Sequence, residues 1–181
     1  MQDAALLVID VQKAFDDPAW GPRNNPNAEA NIASLLEYWR SKQRPVIHVH
    51  HSAEVLASRF HPSRVGHDAK AEGQPLAGEP IFKKLVNSAF IGTQLEQHLR
   101  DQQIENLLVV GLTTDHCVST SVRMAANLGF QVSLVSDATA TFDRMLDGIE
   151  YTAAQIQTVH LASLNDEFCQ LITTAAILTS D

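Results

Sequence analysis

Nothing narrows the possible folds of this chain as much as its short, unbroken apolar runs. Residues 4–9 (AALLVI) and 107–111 (LLVVG), unlike the His-bearing strand candidate 45–50 (PVIHVH), stay apolar at successive positions instead of every second one. That pattern marks a strand buried on both faces. Residues 81–83, 131–136 (QVSLVS) and 168–173 (FCQLIT) are further strand candidates. Between the runs, apolar residues recur at helical spacing: Ile32, Leu35, Leu36 and Trp39; Leu95 and Leu99; Val118, Val122 and Ala125; Ile149, Ala153 and Ile156. Gly129 is placed to end the third helix. Strands alternating with helices predict an α/β fold, a doubly wound, mostly parallel sheet of about six strands with helices on both faces. Residues 52–80 are polar, rich in Pro, Gly and His, and read as one long loop. No repeat, low-complexity tract or linker interrupts the pattern, so residues 1–181 read as a single domain.

Charge and cysteine usage remove several classes of function. The net charge of −8 speaks against nucleic acid or an anionic membrane as partner. No stretch approaches the roughly 20 apolar residues of a membrane span, and no secretory leader is expected. Two cysteines make no disulfide framework, which points to a reducing, cytoplasmic setting.

Doubly wound sheets carry their chemistry at the carboxyl ends of the strands. Three reactive residue types fall there. Asp10 follows the first run, Lys84 follows residues 81–83, and Cys117 closes the stretch LVVGLTTDHC (108–117). Cys117 is expected in the first turn of a helix, where unpaired N–H groups favour an anion and push a thiol toward thiolate. Lys84 would add to that push, and Asp10 could take or return a proton. Each residue alone has an ordinary reading: a turn former, a solvated lysine, a small buried thiol. Gln12 and Phe15, just past Asp10, are candidate pocket residues. Trp20 is a candidate pocket wall or subunit contact. Asp115 is expected to cap the helix that carries Cys117, Arg123 to form a surface or interface salt bridge, and Cys169 to be a core thiol.

The segments VIDVQKAF (8–15), KLVNSAFIGTQL (84–95) and GLTTDHCVSTSVRMAANLGF (111–130) resemble, in order, three signatures of the isochorismatase-like cysteine hydrolases. That group includes nicotinamidases and related amidases. The resemblance implies a catalytic Asp–Lys–Cys triad at Asp10, Lys84 and Cys117. Lys84 is chosen over Lys83 because the family lysine lies four residues before the serine matched here by Ser88. The resemblance further implies a non-proline cis peptide between Leu112 and Thr113, with the N–H groups of Thr113 and Cys117 forming an oxyanion hole. It also implies hydrolysis of a small-molecule amide C–N bond through a thioester, no cofactor, and a homo-oligomer. The enzymatic alternative is vinyl-ether hydrolysis of the isochorismatase type. The alternative from another class is a non-catalytic binding or scaffold domain.

Eight histidines raise the question of a metal. Metal-dependent relatives carry an Asp-x-His pair at the end of the second strand, with a further His downstream. The matching positions are His51 and Ala53, so no resident metal is expected. His51 is expected at the mouth of the site as a substrate-binding residue. His48 and His50 share a strand face as hydrogen-bonded residues, His61 and His67 lie solvated in the long loop, and His116 points away from the thiol.

Overall fold

A computed structural model of the chain describes residues 3–179. Its main sheet has six strands in the spatial order β3-β2-β1-β4-β5-β8. These are β1 (Ala5–Ile9), β2 (Val46–His51), β3 (Ile81–Lys84), β4 (Asn106–Leu112), β5 (Gln131–Ala140) and β8 (Gln170–Ile172). Every neighbouring pair is parallel. A separate hairpin pairs β6 (Arg144–Leu146) with β7 (Ile149–Tyr151).

The unbroken apolar runs follow from burial on both sides. Successive strand side chains point to opposite faces. Leu7, Ile9, Val49, Leu107, Val109 and Leu134 pack on one face, against α2 (Leu95–Asp101), α3 (Ser119–Asn127) and α4 (Ala153–Leu164). Leu6, Val8, Leu108 and Val110 pack on the other, against Ile32, Leu35, Leu36 and Trp39 of α1 (Ala28–Ser41) and Ile177 of α5 (Thr174–Leu178). Each fully buried Leu or Ile contributes about 1.5–3 kcal/mol relative to exposure. Trp39 keeps its polar end satisfied by donating Nε1–H to Ala4 O at 2.9 Å.

The chain starts in mid-sheet, runs outward through β2 and β3, returns to β4 beside β1, and then runs to the opposite edge. The order therefore reverses between β1 and β4, and a crevice opens there at the carboxyl ends. Asp10 leaves β1 at that point and the Thr113–Cys117 turn leaves β4.

Three expectations about elements change. Ile149 lies in β7, not in a helix. Asp147 and Gly148 both have positive φ, 51° and 76°, which suits the two-residue turn that joins twisted antiparallel strands. α4 starts at Ala153, where Thr152 and Gln155 form a reciprocal cap. The last strand is limited to Gln170–Ile172, and α5 follows it in place of a tail. The long loop forms only two short 3-10 turns, Val65–His67 and Ala71–Gly73. Lys70 pins its second half, with Nζ on Asp16 Oδ1 at 2.6 Å and Glu29 Oε1 at 2.7 Å.

Candidate active site

Asp10, Lys84 and Cys117 meet at the crevice. Lys84 Nζ lies 2.6 Å from Asp10 Oδ2 and donates to Cys117 Sγ at 3.1 Å. Asp10 and Lys84 are fully buried, and Cys117 is 8% exposed. Asp10 thus forms a buried ion pair with Lys84 and also faces the Cys117 thiol. Lys84 also donates to Val86 O and to His51 Nδ1, each at 3.2 Å.

Local backbone brings the three together. Asp10 has φ 51°, and its N–H donates to Val49 O at 2.8 Å, fixing the exit of β1 against β2. Lys84 ends β3 beside His51. On the other side of the crevice, Gly111 pairs with Ile9 at a φ of 130°. A Cβ at Gly111 would stand 2.0 Å from Ile9 O, so only glycine lets β4 come this near β1. The Leu112–Thr113 peptide is cis. Cys117 then sits in a wide π-type turn, Thr114–Val118, in which Val118 N–H donates to Thr113 O at 3.2 Å. α3 starts only at Ser119, so the thiol precedes the α-helix and does not lie within its first turn.

The thiol's protonation differs from the sequence expectation. Burial, and then the Asp10 charge, push the Cys117 thiol up to about 12, while Lys84 pulls the other way. Desolvation outweighs the helix-end argument, and the ammonium that would stabilise a thiolate already faces a carboxylate. The resting group is a thiol.

His51 is neutral: burial, then the Lys84 charge, lower its pKa, against Asp10. An ammonium has no lone pair to offer, so Nδ1 accepts from Lys84 and the ring proton sits on Nε2. Asp115 does not cap the helix. It accepts from Thr141 Oγ1 at 2.6 Å and Arg144 Nε at 2.8 Å, tying the Cys117 turn to the residue that follows β5 and to the hairpin. Burial raises its pKa, but those bonds outweigh it and hold the carboxyl below its usual range.

Gln12 does not line the pocket. It is fully buried, with Nε2 donating to His51 O at 3.0 Å and His67 O at 2.8 Å, and Oε1 accepting from His51 N at 2.8 Å. It clasps β1, β2 and the long loop, and its amide is committed to backbone. Phe15 belongs to an aromatic cluster, with ring centroids 5.5 Å from Trp20, 5.2 Å from Phe60 and 6.2 Å from Phe142. Phe60 also meets His51 at 5.1 Å, so the cluster abuts the site. Sequence reasoning missed Phe60 and Phe142, along with Asn87, whose Oδ1 lies 3.9 Å from Cys117 Sγ.

The other histidines lie outside this constellation. His48 Nε2 pairs with Glu79 Oε2 at 2.8 Å. Burial, then the neighbouring cationic groups, lower His50 to about 4. His67 Nε2 meets Ser52 Oγ at 3.3 Å, and His116 lies 3.5 Å from Asp115. Arg123 donates to Ser163 Oγ at 2.7 Å and covers the Phe168 ring, so a hydrogen bond and a ring contact stand where a salt bridge is expected. A hollow of about 550 Å3 beside Lys13, Asp17, Arg59 and Arg64 is lined by none of the three reactive residues.

A family model described as the isochorismatase domain matches residues 4–176. The chain belongs to the isochorismatase family. It is 47% identical over 175 residues to the isochorismatase family protein YrdC of Bacillus subtilis (strain 168), covering 96% of this chain and 94% of that one. It superposes on the crystal structure of an isochorismatase-family protein from Chromobacterium violaceum with a TM-score of 0.96 and 42% identity, covering 99% of this chain and 94% of that one. It is 28% identical over 158 residues to nicotinamidase 3 of Arabidopsis thaliana, covering 79% of this chain and 76% of that one. The protein is thus an isochorismatase-family hydrolase. The metal pair of the metal-dependent members does not fit here: Ala53 offers no ligand atom, and His51 Nδ1 accepts from Lys84.

Proposed function

We propose that this hydrolase cleaves an amide C–N bond of a small molecule through a thioester on Cys117. One observation carries the reading: a buried thiol, carboxylate and ammonium lie within contact of each other, beside the Leu112–Thr113 cis peptide. The resting thiol makes Asp10 the first actor. As Cys117 sulfur bonds to the substrate carbonyl carbon, the S–H proton passes to Asp10. The oxyanion that forms is held by the N–H groups of Thr113 and Cys117. Asp10 returns the proton to the leaving nitrogen, the C–N bond breaks, and ammonia or an amine departs. Asp10 then takes a proton from water as the water oxygen attacks the thioester. The acid is released and the sulfur is reprotonated. Lys84 keeps its positive charge beside whichever of the two groups is anionic.

His51 Nε2–H supplies a donor for a substrate acceptor, and the aromatic cluster behind it suits an apolar or planar group. The reaction needs no cofactor, and the partner is a small molecule. We extend the proposal to self-association in the cytoplasm; among the described residues no helix is long and apolar enough to cross a membrane.

A panel of small amides, carbamates and ureas with detection of released ammonia tests the reading. Activity should fall by about 10^4-fold or more in Cys117→Ala, because triad members act as a unit. Ammonia release that survives the substitution would end the covalent scheme. Vinyl-ether cleavage with no amide turnover would favour the alternative chemistry.

A further inference from the structure

Asn87 lies on the turn that follows β3 and is exposed. Its Oδ1 lies 3.9 Å from Cys117 Sγ, too far to hold the thiol firmly. Among the described residues its Nδ2 has no hydrogen-bond partner. An exposed asparagine is ordinarily just solvated, but two anchors set this one apart. Lys84 Nζ donates to Val86 O at 3.2 Å, and Ala89 N–H donates to Ser121 Oγ of α3 at 3.0 Å. The turn is tied on one side to the ammonium of the site and on the other to the helix that follows the Cys117 turn. Asn87 is thereby held with its amide oxygen facing the sulfur. Bond lengths then say what fits. A carbonyl carbon ready for attack stands about 3–3.5 Å from the nucleophile. Its amide nitrogen is ~1.3 Å further on, and an N–H···O bond spans about 2.9 Å. A chain of those three lengths closes on the observed sulfur–oxygen separation of 3.9 Å without distorted angles.

Resting on the amide chemistry proposed above, we infer that Asn87 is a catalytic and specificity-determining residue: its Oδ1 accepts an N–H of the leaving nitrogen, which confines the substrates to amides, carbamates or ureas with at least one hydrogen on that nitrogen. A primary carboxamide presents such a hydrogen whichever way the group lies. A tertiary amide has none and pushes an alkyl group against Oδ1. When Asp10 passes the thiol's proton to this nitrogen, positive charge builds there and the N–H becomes a stronger donor. The bond to Oδ1 tightens on the way to C–N cleavage, so it acts on the rate more than on affinity. Asn87 itself neither gains nor loses a proton.

The test compares wild type with Asn87→Leu, which keeps the size of the side chain and drops its polar atoms. The position is exposed, so the melting temperature should not change. The substrates are an amide that the wild type hydrolyses and the methyl ester of the same acid, whose leaving oxygen carries no hydrogen. Asn87→Leu should lower kcat on the amide by roughly ten- to a hundredfold, the worth of one hydrogen bond to a group gaining charge, with a smaller change in KM. Ester turnover should stay at the wild-type rate. Equal losses on amide and ester, or no loss on the amide, would overturn the inference. A second arm needs no turnover. In a Cys169→Ser background, alkylation of Cys117 by iodoacetamide is timed against alkylation by its N,N-dimethyl analogue, and the ratio is compared with that for glutathione. The Cys169→Ser protein should favour iodoacetamide beyond the glutathione ratio, and adding Asn87→Leu should return it to that ratio. The same ratio with and without Asn87 would overturn the inference as well. If the wild type hydrolyses no amide, it is the reading of the reaction that fails, and the alkylation ratio alone decides whether Asn87 accepts an amide N–H.

Discussion

At the scale of single residues, Cys117 gives the sharpest expectation. Its thiol is pushed up to about 12 by burial and by Asp10. In a Cys169→Ser background, iodoacetamide labelling should be slow at neutral pH and still rising at the highest pH at which the protein stays folded. Removing the like charge in Asp10→Asn should move the labelling profile down in pH. Removing the opposite charge in Lys84→Met should move it up. A profile that levels off below pH 8 would restore the preformed thiolate that the sequence suggests. Asp10 and Lys84 also make a stability test. Deleting one partner leaves the other charge buried and unpaired, at a cost of about 3–5 kcal/mol. The double variant Asp10→Asn with Lys84→Met should cost less than the two single changes added together, measured by urea unfolding. Strict additivity would remove the ion pair from the account.

Much of the candidate site is legible in the sequence because its three residues lie at or shortly past strand ends, and strand ends in such sheets converge. Gln12 shows where this stops. Its position past β1 invites a pocket role, yet pocket lining and clasping backbone look alike until the partners His51 and His67 are placed. Phe60, Phe142 and Asn87 come from distant segments without a motif, and only the folded chain brings them to the crevice. The thiol's protonation differs from the sequence expectation for a related reason: sequence exposes neighbours along the chain but not depth of burial.

At the scale of elements, the junction between β1 and β4 is the sensitive point. Gly111→Ala puts a methyl group 2.0 Å from Ile9 O and asks an L side chain to hold a φ of 130°. The two strands must part just where Asp10 and the Cys117 turn leave them. We expect a loss of about 1–3 kcal/mol in stability, as for overpacking. We also expect a greater loss of activity than stability explains, read as residual turnover at a temperature where the variant is fully folded. Wild-type turnover in Gly111→Ala would show that this approach does not set the geometry. The hairpin of β6 and β7 was hidden because Ile149, Ala153 and Ile156 also fit helical spacing. The contrary signal, Asp147-Gly148 between two short apolar stretches, is a two-residue turn of the kind that joins antiparallel strands. The hairpin matters to the site because Arg144 holds Asp115 in the Cys117 turn.

For the whole molecule, buried titratable groups set the pH range of stability. His50 is lowered from 6.5 to about 4, by burial first and nearby cationic groups next. The unfolded chain therefore binds a proton before the folded one does. The contribution is full above about 6.5 and is lost as pH falls toward 4. Glu29 and Glu79 are each lowered from 4.5 to about 2. Burial opposes this, but hydrogen bonds from Arg23 and Lys70, and from Arg40, outweigh it. Their contribution is full above 4.5 and drains as pH falls toward 2. Urea midpoints should thus decline in two stages on acidification. His50→Asn should flatten part of the upper stage and Glu29→Gln part of the lower one. An unchanged upper stage in His50→Asn would mean that the imidazole titrates alike in both states.

The six-stranded parallel sheet is legible because unbroken apolar runs and helical spacing alternate along most of the chain. The last strand is legible too, within 168–173, but α5 is not, since one helical turn leaves no periodicity to read. What joins the scales is the claim that Cys117 becomes acylated during turnover. Rapid acid quench of the enzyme with an amide that it turns over, followed by peptide mass mapping, reads this. The peptide containing Cys117 should carry the mass of the acyl group, labile to hydroxylamine as a thioester is. Steady product release with that peptide unmodified at every quench time would refute it.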